Sequence, residues 1–523
     1  MSDHELINGQ LKRGLELQQQ GLTLEASLIY REILKKEPNN FDALHLLGVI
    51  AYAESNFQLA MNLFAEAIEL QPTNFLFYFD CGNAYEGLNQ LEAAISCYDK
   101  ALVLNPNNAD IHYNRGAAFQ RLNQLEAAIA CYDIVIAINP NHVNAYFNRG
   151  AALQGLGQLE AAICCYDKAL ALNPNYADIH FNRGAAFQRL NQLEAAISSY
   201  DNVIALNPNH VNALWNKTLS LLLNGNFEMG WKLFQRGGEF NTRQVQQHYI
   251  EPLWLGEDSL VGKSILLHNE QGLGDTLQFC RYVKLVSNLG GRVILKAQKP
   301  LISLLSDLEG VSHLVAEGEE VPKFDFQCPL MSLPLAFKTE INTIPVSKKY
   351  IHSSPTKARK WKNKLGEKIK PRIGIAWSST SSFLHDSSRS MTLAELLLAL
   401  PSGEFEYFCL QKEIKAIDKE TLRLNPQIKF FGDELDDFSD TAALIENLDL
   451  VISTCTSIPH LSGALGKQTW LLLAYTPDWR WLLKREDTPW YPSMKLYRQS
   501  SLGDWIGVLE RVNMDLLRLS HNT

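Results

Sequence analysis

Between residues 7 and 210, apolar and small side chains return every 34 residues, with polar side chains between them. In the unit 75–108 the recurring residues are Tyr78, Gly82, Tyr85, Ala94, Tyr98 and Ala101. In the next unit they are His112, Gly116, Phe119, Ala128, Tyr132 and Val135, so the positions are 4, 8, 11, 20, 24 and 27 of the period. The i, i+4, i+7 spacing of the first three sets them on one helix face, and the glycine lets a second helix come close. Pro38, Pro72, Pro106, Pro140, Pro174 and Pro208 stand 34 apart and mark six helix ends, because proline cannot continue a helix. Such a period predicts a helix-turn-helix solenoid whose units bury their apolar faces only against neighbours. Residues 211–244 keep Leu214, Leu221 and Phe234 but carry Gly230 and Gly237 where alanine is usual. This copy is expected to cap the solenoid or act as a hinge.

From Lys263 the period is gone, and short apolar runs alternate with helical stretches. KSILLHN, GRVILKA, RIGIAW and DLVIS read as buried strands. Strand and helix alternation predicts parallel sheets covered on both faces. A basic stretch with Pro355 and Pro371, at about 345–371, separates two such blocks. The expected fold is α+α/β: a solenoid over 1–244, then Rossmann-like domains over 245–355 and 356–523.

A polar column runs in the same period. Asn114, Asn148, Asn182 and Asn216 recur at position 6, and Asp80 holds that place one copy earlier. At about 100° per residue, position 6 lies about 200° from position 4, away from the packing stripe and toward a groove. A primary amide both donates and accepts, so such a column suits the backbone of an extended peptide whatever its side chains. The alternative is a solvent-facing residue copied by duplication, since AAFQRLNQLEAAI occurs at both 117 and 185. Arg115, Arg149 and Arg183 stand beside the column, either to select acidic segments or as solvated surface. The period and packing positions resemble the tetratricopeptide repeat over residues 7–244. The column is similar to the asparagine ladder of O-linked N-acetylglucosamine transferases, which implies a protein or peptide acceptor held by Asn114, Asn148, Asn182 and Asn216.

Composition narrows the function classes. At 523 residues the chain is too long for one core. Its 46% apolar and 20% charged residues fit a globular protein, and a net charge of -9 argues against a nucleic-acid partner. Nine cysteines, among them the neighbours Cys164 and Cys165, include no CxxC pair, which favours free thiols in a reducing compartment over a disulfide framework. The start, MSDHELINGQLKRG, has no apolar core of a leader, and no apolar run reaches the roughly 18 residues of a membrane span. A cytoplasmic protein without a transmembrane segment is expected.

The candidate chemistry lies at strand ends. After the first strand comes EQGLGDTLQFCRY, Glu270 to Tyr282, a glycine turn opening a helix. The third glycine of a dinucleotide fingerprint is absent, and a carboxylate in the first turn would repel a pyrophosphate. Asp275 is then either a helix cap or a general base at an interdomain crevice. Strand, GxGD turn and helix resemble the heptosyltransferase-like glycosyltransferases of family 9. That resemblance implies a GT-B pair of domains, with Asp275 deprotonating an acceptor hydroxyl and Gly274 and Gln278 beside the acceptor.

After RIGIAW a hydroxyl-rich stretch, SSTSSFLHDSSRS, ends near Arg389, the basic residue matched to the family's donor diphosphate; a guanidinium forks well onto phosphate. DLVISTCTSIPHLSGALGK then runs from a strand through Thr454, Cys455, Thr456 and Ser457 into a helix carrying Pro459 and His460. Free amides at a helix start, reinforced by hydroxyls, make an anion site without a metal. His460 reads as a core residue by itself, and as a donor-binding residue by the resemblance. Cys455 stands where the family has an aspartate, which leaves the donor sugar open. A Cys455 nucleophile lacks a base nearby in sequence.

Asp433, Asp436, Asp437 and Asp440 suggest a DxD metal site, but clustered acids before an apolar helix more often form a solvated cap near Ser439 or Asp440. In the tail, Trp479, Trp481, Trp490 and Tyr491 are expected in the core, Arg480 and Arg485 near phosphate, and the last helix packed back on the catalytic pair. Together these readings describe a glycosyltransferase with no metal and no cofactor beyond a nucleotide-sugar co-substrate. The acceptor is a protein or peptide held by the repeats, which leave room for homo-oligomers. The alternatives are a glycan or lipopolysaccharide acceptor, or a scaffold weakened at Cys455.

Overall fold

The computed structural model describes residues 3–238, 249–379 and 389–521. The chain divides into two compact units, Met1–Pro208 and Asn209–Thr523.

The first unit is built of antiparallel helix pairs such as Ala109–Arg121 with Leu125–Ile138 and Val143–Gly155 with Leu159–Leu172. Position 24 supplies the centre of each pair: Tyr30, Tyr98, Tyr132, Tyr166 and Tyr200 are fully buried. The position 8 glycine makes room for that ring. A Cβ on Gly150 would stand 2.6 Å from Tyr166 Cε1, and one on Gly82 2.5 Å from Tyr98 Cε1. A buried phenol needs a partner, and position 12 provides it: Tyr132, Tyr166 and Tyr200 donate to Gln120, Gln154 and Gln188 at 2.9–3.0 Å. Asn40, Asn74 and Asn108 cap the first helices of their repeats by accepting backbone N–H groups. His142 does the same for the helix Val143–Gly155.

Successive repeats are stitched by an ion-pair ladder. Arg115, Arg149 and Arg183 pair with Asp99, Asp133 and Asp167 of the preceding repeat at 2.6–2.8 Å. Arg149 and Arg183 also donate to Cys165 Sγ and Ser199 Oγ. Of the two readings of these arginines, selection of acidic segments or a solvated face, the structure favours neither outright: their charge is met by aspartates within the solenoid.

The second unit opens with the helices Val211–Leu223 and Phe227–Gly238. The repeat period assigns this pair to the solenoid, yet it groups with the α/β part. The reason is aromatic packing: Trp231 lies edge-on against Phe279 and Trp479, with centroids 6.2 and 5.2 Å away.

Two wholly parallel sheets follow. Strands β1 (Ser264–His268), β2 (Arg292–Ala297), β3 (Val311–Ala316) and β4 (Phe326–Pro329) lie in the order β3-β2-β1-β4. Strands β5 (Arg372–Ala376), β6 (Glu406–Cys409), β7 (Ile428–Phe430), β8 (Leu450–Thr454), β9 (Thr469–Leu473) and β10 (Met494–Arg498) lie in the order β10-β9-β8-β5-β6-β7. That is the doubly wound arrangement, with its reversal between β5 and β8. The four strands read from sequence are β1, β2, β5 and β8, the central pairs of the sheets. The stretch read as a linker contains the helix Pro355–Leu365, started by Ser354. The terminal helix Trp505–His521 buries Val508, Leu509, Val512 and Leu516 in the core of the six-stranded sheet.

Candidate functional site

The turn after β1 meets the turn after β8. Helix Leu273–Phe279, which follows β1, packs against helix Ser457–Ala464, which follows β8. Gly274 is the point of closest approach, since a Cβ there would stand 2.9 Å from His460 Cδ2. Gly274 thus serves helix packing. Gln278 is corrected as an acceptor contact: its side chain is fully buried, and Oε1 accepts from Arg480 Nε at 2.7 Å.

Asp275 has both oxygens engaged. Oδ2 accepts from the Gly272 N–H at 2.8 Å, tying the helix start to its cap residue, and Oδ1 pairs with Arg480. Arg480 also pairs with Asp478 at 2.9 Å and lies over the Trp479 ring, 4.3 Å from its centroid. Burial works against the guanidinium charge, but Asp478 and Asp275 outweigh it. Burial pushes the Asp275 carboxyl up, and Arg480 pulls it back. The guanidinium and the amide on its two oxygens favour the charged form but do not cancel the effect of burial.

His460 donates or accepts through Nδ1 with Tyr491 OH at 2.9 Å and stacks on Trp481 at 5.3 Å between centroids. Burial, aided by the charges of Arg480 and Arg281, holds the imidazole well below its ordinary pKa, so it is neutral at pH 7. Cys455 accepts from Trp481 Nε1 at 3.1 Å. Burial pushes its thiol up to about 11 even though Arg389 and Arg480 pull the other way, so it is no thiolate nucleophile at neutral pH. The charge of Arg389 acts on the Cys455 thiol. The hydroxyl-rich stretch before Arg389 falls largely outside the described residues. Thr456 caps helix Ser457–Ala464 by accepting from Ile458 N at 3.3 Å. Thr454 ends β8 fully buried.

Around this centre Arg281 rivets the fold. Its guanidinium donates to Trp490 O at 2.8 Å and Tyr350 OH at 3.0 Å, and it lies over the Tyr491 ring. Arg480 and Tyr491 were legible from sequence only as tail residues. Glu270 was missed, although it stands in the same motif as Asp275. The acids before β8 are otherwise committed: Asp437 caps helix Phe438–Glu446, while Asp440 pairs with Lys357 at 2.8 Å. Arg485 pairs at the surface with Asp487.

The four asparagines of the ladder are half-buried. Asn114 Nδ2 donates to Asn83 Oδ1 at 2.9 Å, and Asn148 Nδ2 to Tyr113 OH at 3.0 Å. Burial pushes the Tyr98, Tyr132 and Tyr166 phenols up, and hydrogen bonds from Asn114, Asn148 and Asn182 of the following repeat work against this. Their amides are therefore not open to a peptide along their whole length; part of their capacity ties repeat to repeat. Asn216 lies on helix Val211–Leu223 of the second unit.

Family models for the tetratricopeptide repeat match residues 11–75, 109–142, 131–163 and 177–210, and a TPR repeat model matches 87–123 and 155–191. These are tetratricopeptide repeats. Protein FlbA of Caulobacter vibrioides is 26% identical over 319 residues, covering 56% of this chain and 52% of its own length, so the chain spans about half of that curated relative. Among solved structures, YrrB, described as a TPR protein with an unusual peptide-binding site, is 23% identical, with a TM-score of 0.34 over 36% of this chain and 98% of its own. MamA is 27% identical, with a TM-score of 0.30 over 31% of this chain and 94% of its own. Among the described residues, no helix is long and apolar enough to cross a membrane.

Proposed function

We propose that the α/β part is a metal-independent glycosyltransferase of GT-B type, moving a sugar from a nucleotide-sugar to an acceptor hydroxyl, with the tetratricopeptide repeats holding a protein or peptide acceptor. One observation carries the reading: the turn after β1 packs against the turn after β8, bringing Asp275, Arg480 and His460 together at the carboxyl ends of two parallel sheets. Open α/β sheets receive ligands at that end. The leaving nucleoside diphosphate would be met by Arg389 and by the helix start at Thr456 and Ser457, fixed charges and dipoles aimed where negative charge develops. Neutral His460 would offer a hydrogen bond rather than a charge. Asp275 would hold Arg480 in register. Cys455 would line the donor sugar as a neutral thiol.

The test is to incubate the full chain with UDP-, GDP- and ADP-linked sugars and host lysate, and to look for mass-shifted proteins. Transfer that is lost in Asp275→Asn supports the scheme. Failure of the wild type to bind any nucleoside diphosphate in calorimetry would sink it. A second reading, a glycan acceptor with the repeats serving assembly, is favoured by the asparagine amides already engaged between repeats. Changing Asn114, Asn148, Asn182 and Asn216 to Ala decides between them: selective loss on protein acceptors supports the first, and unchanged transfer the second.

A further inference from the structure

We propose that Glu270, rather than Asp275, takes the proton from the acceptor hydroxyl, and this inference rests on the glycosyl-transfer reading. Glu270 stands two residues beyond β1, next to the end of β4. In the order β3-β2-β1-β4 the crossovers reverse between β1 and β4, so Glu270 lies at the switch point of its own sheet, where a ligand is received. It is half-buried. Oε2 accepts from the Met331 N–H at 3.3 Å, and among the described residues the carboxylate forms no further hydrogen bond and no ion pair. Asp275 is the opposite case, with Gly272 N–H on one oxygen and Arg480 on the other. A carboxylate so engaged is a poor proton acceptor, whereas Glu270 keeps an oxygen for one.

The titratable groups that face Glu270 are Asp275 on the following helix and Cys328 on β4. Burial pushes the Glu270 carboxyl up to about 7; the Met331 amide works against this, and the Asp275 charge works with it. A general base is most effective when its pKa lies near the working pH. In the step itself, the acceptor O–H proton passes to the Glu270 carboxylate as the acceptor oxygen bonds the anomeric carbon. The bond from that carbon to the donor phosphate oxygen breaks, and its electron pair leaves with the nucleoside diphosphate. Solvent then removes the proton from Glu270.

The experiment uses the full chain, the sugar nucleotide that the wild type transfers, and the matching nucleoside diphosphate as binding probe. Glu270→Gln is expected to lower kcat by about 100-fold or more, to leave diphosphate affinity within about twofold, and to remove the acidic limb of the kcat/KM profile near pH 7. Glu270→Ala is expected to regain activity with added formate, a small carboxylate that fills the gap. Asp275→Asn is expected instead to weaken diphosphate binding, because Arg480 loses one of its two carboxylate partners and keeps only Asp478. If Glu270→Gln keeps kcat within about fivefold with the same acidic limb, the assignment is overturned while the transferase reading stands. If the wild type binds no diphosphate, both fall together.

Discussion

At the residue scale the solenoid depends on one contact repeated in each unit, glycine at position 8 against the aromatic ring at position 24. Gly150→Ala is expected to destabilise the solenoid by about 1–3 kcal/mol, read as a lower urea midpoint, because its Cβ would stand 2.6 Å from a fully buried ring with nowhere to move. The pair was legible in sequence because both members recur in one period. Arg480 shows the opposite situation. Its guanidinium is 7% exposed and holds Asp275, Asp478 and Gln278 together. Arg480→Ala leaves Asp275 half-buried without its cation and is expected to cost about 3–5 kcal/mol in the second unit, measured by denaturation, together with diphosphate binding. Sequence reading placed Arg480 only loosely near phosphate. Nothing local to DWRWLLK says that its partner is an aspartate 205 residues earlier.

At the element scale the strands that were read correctly, β1, β2, β5 and β8, share long apolar runs. β7 has three residues and β4 four, ending in Pro329, too few to register as a period-2 or continuous apolar pattern. The site is carried by two short helices, Leu273–Phe279 and Ser457–Ala464, that approach at Gly274. Gly274→Ala is expected to force them apart, because the new methyl would meet His460 at 2.9 Å. Diphosphate affinity should fall at least tenfold while the helical circular dichroism of the repeats is unchanged; equal affinity in the variant would refute this account of the turn. The arginine column shows what a sequence period conceals. Three residues 34 apart read either as a recognition column or as solvated surface, and the structure pairs them with Asp99, Asp133 and Asp167.

At the scale of the whole molecule, His460 ties the stability of the second unit to pH. His460 is held neutral in the fold, while in the unfolded chain it protonates near its ordinary 6.5. Below that pH the unfolded state binds the extra proton, so this residue makes stability fall as pH drops through about 6.5. The loss of stability of the second unit between pH 8 and pH 5.5 is expected to be smaller in His460→Gln than in wild type, measured by urea titration at both pH values. Residues 1–208, expressed alone, are expected to keep their helical circular dichroism and a cooperative melt, since repeat stability sums over neighbouring contacts. Sequence by itself determined the solenoid, the parallel α/β class of the second half and the motif turns, because these rest on contacts within one period or one strand-turn-helix unit. Only the tertiary structure decided which groups meet. Asp275 with Arg480, Gln278 with Arg480 and Arg281 with Trp490 join residues 205, 202 and 209 apart. Such pairs are set by how parallel crossovers bring strand ends together, and no local periodicity records that placement.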